Sequence, residues 1–214
     1  MINCTKTVQE CEEMKSTKEY RCVRKTKKAF EMSFVSLAKE MPLNKISVKQ
    51  ICERAEMSRN AFYFHYNDIN ALINDIEDGM VNDIISMFDH IRDVGFPDNV
   101  LTNIQDLTEY FYDRRDTTLI LMDSSYSNTF KNRMNTAFSD FFFQYFKKYH
   151  NTEFRDSYDF FYGFLSNGYC GMLEQWLKNP GKITKRHFIR LTYTFVSRLL
   201  VVDKELPALP KIEE

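Results

Sequence analysis

Residues 1–41 and 98–162 contain neither glycine nor proline, and the whole chain of 214 residues has six of the one and five of the other. A β architecture needs turn residues every ten positions or so, and stretches this long without them favour helices. The apolar spacing agrees. Phe30, Phe34, Leu37, Ala38 and Met41 recur at i, i+4, i+7, i+8 and i+11, one stripe of an amphipathic helix that Pro42 stops. Ser47-Val48-Lys49-Gln50 then fits a capping box opening a second, short helix whose inner face is Val48, Ile51, Cys52 and Ala55. Ser58 caps a third short helix running to Tyr66, Asn67 and Asp68 break it, and Asp68 caps a fourth. That helix carries Leu72, Ile76, Met80, Ile84, Met87 and Ile91 and ends near Gly95-Phe96-Pro97.

Beyond it the periodicity predicts helices at about 99–113, 116–124, 129–149, 155–178 and 184–202, with no convincing strand. The expected fold is therefore all-α, about nine helices, with a three-helix head at the N-terminus of a larger helical body. The expected division is an arm or extra helical turn at 1–22, a head at 23–68 with its motif at 47–66, a body at 69–205 and a tail at 206–214. Three short helices, the last two joined by a tight turn, describe a helix-turn-helix.

Charge sorts along the same boundary. Residues 1–66 hold 13 Lys and Arg against 8 Asp and Glu, a net +5, and the remainder is −6, although the whole chain is only −1. A basic head on an acidic body suits a polyanionic partner for the head alone. The five cysteines at 4, 11, 22, 52 and 170 lack metal-ligand spacing, the N-terminus lacks the apolar core of a signal peptide, and no run of about 18 apolar residues exists. A cytoplasmic protein with reduced thiols and no membrane association is expected.

The segment SRNAFYFHYND, residues 58–68, packs Phe62, Tyr63, Phe64, His65 and Tyr66 side by side. At 100° per residue, with Phe62 at zero, Tyr66 lies at about 40°, Asn60 near 160° and Phe64 near −160°. Phe62 and Tyr66 therefore face the core. Asn60 and Phe64 face outward, with Arg59 and Tyr63 along one edge and Ala61 and His65 along the other. This is the chemistry of a major-groove reader. Asparagine pairs bidentately with adenine, an exposed ring packs on a thymine methyl group, and arginine reaches guanine or phosphate. Tyr63 and His65 can donate to phosphate oxygens, and the start of the helix at Ser47, with Val48 and Lys49, suits a phosphate. Lys25, Lys27, Lys28, Lys45 and Lys49 add salt-sensitive attraction. Ser58 and Ala61 complete the expected DNA-binding set.

The stretch ISVKQICERAEMSRNAFYFHYNDINALI resembles the DNA-binding region of the tetracycline-repressor (TetR) family of bacterial transcription regulators. The pattern there is a Thr/Ser-opened helix, an Ala-Gly-Val-Ser-like turn, a recognition helix ending Tyr-x-His-Phe and a Lys-Asp-Lys-like start to the next helix. The match runs over roughly residues 24–85. It implies that Ser47–Tyr66 is the helix-turn-helix and that Tyr63 and His65 contact the DNA backbone. Glu56 stands where the pattern usually has glycine, so the turn must accept a non-glycine residue, left-handed at about 1 kcal/mol. Asn67 and Ile69 replace common lysines.

Readers of this type work as dimers on paired half-sites. The helix at 155–178 places Tyr158, Phe161, Leu165, Tyr169, Met172 and Trp176 on one broad stripe, with Gly163, Gly168 and Gly171 inside the helix. The next helix carries Phe188, Leu191, Phe195 and Leu199. The two look like the helix pair that forms the family's dimer interface; packing within one subunit is the alternative. The resemblance also implies an effector pocket, for which Tyr110, Phe111, Phe142, Phe146 and Tyr162 are the aromatic candidates, although plain core explains such rings equally well.

The four histidines are scattered and no nucleophile, phosphate loop or metal motif is present in the sequence. Neither an enzyme nor a cofactor is expected. The expected function is a homodimeric regulator, a repressor in the commoner mode of the family, binding a palindrome in double-stranded DNA under control of a small-molecule or protein effector. The alternative is a helical interaction protein that acts through a partner protein with weak or no DNA binding.

Overall fold

The computed structural model describes residues 4–94, 100–123, 129–149 and 158–200, with backbone alone at 4–20, 90–94, 140–142, 144–149, 158–159, 161 and 199–200. Among these residues all regular structure is helical: α1 (Cys4–Ala38), a 3-10 turn (Leu43–Lys45), α2 (Val48–Arg54), α3 (Arg59–His65), α4 (Ile69–Val94), α5 (Val100–Asp113), α6 (Arg115–Met122), α7 (Thr129–Tyr149), α8 (Tyr158–Lys178) and α9 (Lys185–Leu200). The expected all-α class and helix order are what the chain adopts. Two compact units divide inside α4, between Ile76 and Glu77.

In the first unit, α1 is longer than its apolar stripe suggests. The segment expected as an arm or an extra turn is helical from Cys4 onward, so α1 runs 35 residues. With no glycine or proline in the way, nothing in the local sequence interrupts it. At its other end the N–H groups of Glu40 and Met41 both donate to the Leu37 carbonyl, and Pro42 opens the 3-10 turn. Ser47 caps α2 through a complete capping box: its Oγ accepts from the Gln50 N–H at 3.3 Å, and the Gln50 Oε1 accepts from the Ser47 N–H at 2.9 Å.

The turn into α3 is built on Glu56, whose φ is 53°. The Met57 N–H returns to the Cys52 carbonyl at 2.9 Å and the Glu56 N–H to the Glu53 carbonyl at 3.3 Å. These are the two bonds of a Schellman motif, a geometry that places its left-handed residue where glycine is cheapest. Ser58 caps α3 by accepting from the Ala61 N–H at 3.1 Å, and Asp68 caps α4 by accepting from the Ala71 N–H at 2.8 Å.

Phe30, Phe34 and Leu37 of α1, Ile51 and Cys52 of α2, Phe62 of α3 and Leu72, Ile73 and Ile76 of α4 form the core of this unit with Tyr66. Phe30 meets Phe62 edge-on at 5.3 Å between centroids and Tyr66 at 6.4 Å. Such perpendicular pairs add to simple burial.

In the second unit, α5 lies against α9, α7 against α8, and α6 against both α7 and α8. Ile84 and Phe88 of α4, Phe111 of α5, Phe130 and Met134 of α7, Leu173 of α8 and Phe188 of α9 are buried. Trp176 stacks on Phe188 at 4.4 Å and on Tyr112 at 5.4 Å, and its indole N–H donates to the Ile183 carbonyl at 3.1 Å. Two carboxylate-centred links tie α4 into this unit. Asp83 accepts from the Tyr110 hydroxyl at 2.9 Å, with Arg114 3.6 Å from the same carboxylate oxygen, and Arg133 of α7 bonds Asp78 and lies 3.7 Å from the buried Glu77.

Candidate nucleic-acid interface

α3 has seven residues and a single buried position. Phe62 is fully buried, and Tyr66, which follows the helix in extended conformation as its C-cap, is 4% exposed. Phe64 by contrast is 81% exposed and Tyr63 54%. Arg59 and Asn60 in the first turn are exposed, and Ala61 and His65 are half-buried. The ring of Tyr63 leans edge-on against Phe62 at 5.7 Å, and that of Phe64 against His65 at 5.0 Å. The aromatic run is thus split between core and surface, as the helical wheel requires.

Around this face the structure distributes the other candidates unevenly. Ser47, Lys45, Lys49 and Ser58 are exposed and Val48 is half-buried. Lys49 lies 3.7 Å from Glu53, and Lys28 bonds Glu31 at 2.9 Å. Both are solvated pairs one helical turn apart, worth a few tenths of a kcal/mol, so neither side chain is strongly held. Lys27 differs: its ammonium bonds Asp75 at 2.8 Å and sits 5.6 Å from the Tyr66 ring centroid. The ammonium counted among the cations offered to DNA is paired within the unit, with both side chains more than a third exposed. Glu56, exposed in the turn, places a further negative charge two residues before Ser58.

Burial holds the His65 imidazole below its ordinary range, with the Lys27 charge acting in the same direction and Asp75 opposing both. At neutral pH His65 therefore meets a partner as a neutral ring with one N–H donor rather than as a cation. Arg54 at the end of α2 had no expected role. It bonds both Oε atoms of Glu40 and the Ser36 hydroxyl, fastening α2 to α1. The two exposed ends meet in water, so this link steadies the unit by a modest amount.

In the second unit the expected dimer residues, on α8 and α9, differ in exposure. Leu165, Trp176 and Phe188 are buried in the unit's own core, and Tyr169, Met172 and Leu191 are half-buried. The side chains of Tyr158, Phe161 and Leu199 lie outside the described residues. Phe195 is 48% exposed. The outward face of α8 carries Phe160, Phe164, Gly168, Gly171 and Gln175, every one exposed, within about 80° of arc on the wheel. A Cβ added at Gly168 or Gly171 would meet nothing within 4 Å, so neither glycine serves a close contact inside the unit.

Of the expected pocket residues, Tyr110 and Phe111 are buried neighbours with rings 5.5 Å apart, and Arg114 lies 4.1 Å over the Tyr110 ring. Tyr162 is buried on α8, its hydroxyl donating to the Asn135 carbonyl. The side chains of Phe142 and Phe146 lie outside the described residues. The Tyr169 hydroxyl, the Asn103 amide nitrogen and the Thr192 hydroxyl are buried in the same unit with no hydrogen-bond partner in the structure. Among the described residues no helix is long and apolar enough to cross a membrane.

Comparison with known proteins extends this picture beyond the head. The family model TetR_C_8, a transcriptional regulator C-terminal region, matches residues 98–198. The whole fold is similar to that of a TetR transcriptional regulator from Streptococcus agalactiae 2603V, with a TM-score of 0.59 at 22% identity over 85% of this chain and 98% of that one. It is similar to a putative TetR-family regulator from Syntrophomonas wolfei, with a TM-score of 0.69 at 16% identity over 87% and 99%. It is also similar to the dihydroxyacetone kinase operon activator DhaS, with a TM-score of 0.56 at 19% identity over 84% and 96%. No curated protein matches the chain in sequence. At these identities the structural likenesses speak for the fold. The family match at 98–198 covers a part of the chain outside the head, and the structural likenesses add that the helical fold is the one TetR-family regulators have.

Proposed function

We propose that the protein is a sequence-specific DNA-binding regulator of the TetR type. The observation that carries this reading is the division of α3, which buries Phe62 and leaves Arg59, Asn60, Tyr63 and Phe64 in solvent. An exposed phenylalanine flanked by an amide and a guanidinium has no use to the unit itself and matches the floor of an A·T-containing major groove. Asn60 reads adenine, Phe64 packs on a thymine methyl group, and Arg59, Tyr63 and neutral His65 hold the phosphates. Ser47, Ser58, Lys45 and Lys49 flank this contact.

Two copies joined through the outward face of α8 place two heads on a palindrome. An effector that favours one separation of the heads shifts occupancy, because only one separation fits the half-site spacing. Repression is the sign we propose, with no catalytic step and a place in the cytoplasm. DhaS is named as an activator, and whether the bound site overlaps a promoter or lies upstream of it decides between the two signs.

The test is a salt titration on duplex DNA carrying a palindrome found by footprinting beside the protein's own gene. Affinity should fall steeply between low and moderate salt. Tyr63→Ala should weaken binding to all duplexes, whereas Asn60→Ala should cost about 1–3 kcal/mol at one base pair and little elsewhere. A second reading, an interaction protein with a silent head, draws on the internal pairing of Lys27 and the exposed carboxylate of Glu56. It predicts little binding at any salt.

A further inference from the structure

In the first unit a three-residue polar cluster links α1, α4 and the C-cap of α3. The Tyr66 hydroxyl donates to Asp75 Oδ2 at 2.8 Å, and the Lys27 ammonium donates to Asp75 Oδ1 at 2.8 Å. Lys27 belongs to α1, Asp75 to α4, and Tyr66 is the C-cap of α3. The resembled pattern ends in phenylalanine where this chain has Tyr66, so the phenol oxygen is an addition to an aromatic position that packs equally well without it. Tyr66 is 4% exposed as a residue, and its hydroxyl finds its partner in the part-exposed Asp75 carboxylate. Both oxygens of the carboxylate are engaged, each by a donor from a different helix.

Apolar contacts with Phe30 decide which side of α3 is buried, but they resist a small rotation or slide of the helix weakly. A short directional bond at the residue that caps it resists both. Phe64 and Tyr63 precede that bond by two and three residues, and Asn60 by six. We infer that Asp75 is a positioning residue for DNA reading: with Lys27 holding it in place, it clamps the end of α3 through the Tyr66 hydroxyl and so fixes the angle at which Asn60 and Phe64 meet the bases. In this arrangement Lys27 supports Asp75 and makes no phosphate contact. Burial, assisted by the bond to Asp75, pushes the Tyr66 phenol far above its ordinary range, so the proton that makes the clamp stays in place.

This inference rests on the proposed DNA-binding function, and its test includes a readout that does not. In the DNA-free protein, Tyr66→Phe, which restores the residue of the resembled pattern and keeps the ring, should speed amide exchange in α3 roughly tenfold, the size expected for one charge-assisted bond. Asp75→Asn should do the same. On DNA, Tyr66→Phe should weaken binding to the cognate duplex about tenfold and to a random duplex less than about twofold. Asp75→Asn should also weaken cognate binding while strengthening random binding, because it frees the Lys27 charge. Unchanged exchange in both variants overturns the clamp. So does equal strengthening of cognate and random binding by Asp75→Asn with no effect of Tyr66→Phe, which would make Asp75 a charge brake only. Faster exchange in a protein that binds no duplex supports the clamp and overturns the function on which its role in reading depends.

Discussion

α3 and α8 both carry dense aromatic stripes, and the stripes mean opposite things. In α3 the outward ring, Phe64, stands in solvent, where the proposed function uses it, and the inward rings are ordinary core. In α8 the eye-catching stripe, from Leu165 through Tyr169 to Trp176, packs inside its own unit, and the outward face is a sparse row of two phenylalanines and two glycines. The difference comes from the number of neighbours. A seven-residue helix in a small three-helix layer has one apolar face to bury and nothing to cover the other. A 21-residue helix contacts α6, α7 and α9, and a broad apolar stripe there states only that something covers it, without saying whether that is the same chain.

The largest effects should come from the two buried rings. Phe62→Ala and Trp176→Ala each remove a side chain with almost no exposure, and each should cost about 3–5 kcal/mol in urea unfolding of the unit concerned. Phe64→Ala, at 81% exposure, should stay within about 0.5 kcal/mol of the parent while abolishing discrimination at its base pair. If Trp176→Ala instead left stability intact and only separated subunits, the stripe on α8 would be an interface after all.

The outward face of α8 provides the next test. A Cβ added at the exposed Gly171 meets nothing within 4 Å, so with Gly171→Leu the monomer should fold and melt normally. Two helices brought close at that glycine would be forced apart, and dimer affinity should fall by about a hundredfold or more. Sedimentation as a function of concentration measures it. A dimer indifferent to both Gly171→Leu and Phe164→Asp places the interface elsewhere.

How much of this was legible in the chain follows from the same contrast. Helix order and type, the caps at Ser47, Ser58 and Asp68, and the division of α3 depend on residues within a turn or two of one another, and periodicity reads such neighbours directly. The Tyr66–Asp75 bond is not legible in the chain, because the wheel places Tyr66 in the core and its partner Asp75 sits nine residues on in another helix. The internal use of Lys27 was hidden by 48 residues of separation. On α8 the exposed row, Phe160 and Phe164 on the same side as Gly168 and Gly171, is equally legible, and it is the face proposed here to meet a second copy. The richer stripe on the far side marks burial by its apolar content and does not name the neighbour that covers it. The α1 extension shows a further limit: a polar segment with no breaker can be helical without an apolar stripe.

The turn before α3 allows a smaller and more local test. Glu56 holds a left-handed conformation at φ 53° within a Schellman motif, at about 1 kcal/mol relative to glycine. Glu56→Gly should therefore raise unfolding stability by about 0.5–1 kcal/mol, part of the relief being offset by the looser unfolded chain. The same change removes a negative charge beside the reading face and should tighten nonspecific DNA binding at low salt. A stability gain without tighter binding would put Glu56 clear of the phosphates.

The smallest expected effect belongs to His65, where α3's inner and outer faces meet. Its folded pKa lies below the ordinary value of 6.5, through burial first and the Lys27 charge second. The unfolded chain therefore binds more protons than the folded one as pH drops through the window just under 6.5. Stability of the first unit should fall across that window and level off once the folded imidazole also charges. His65→Gln, which keeps a donor without titrating, should flatten that part of the pH profile. DNA binding should move the other way, tightening as the ring charges against a phosphate. A ring that faced only the core would show the stability slope and leave the affinity unmoved, so the two profiles together decide which side of the helix His65 serves.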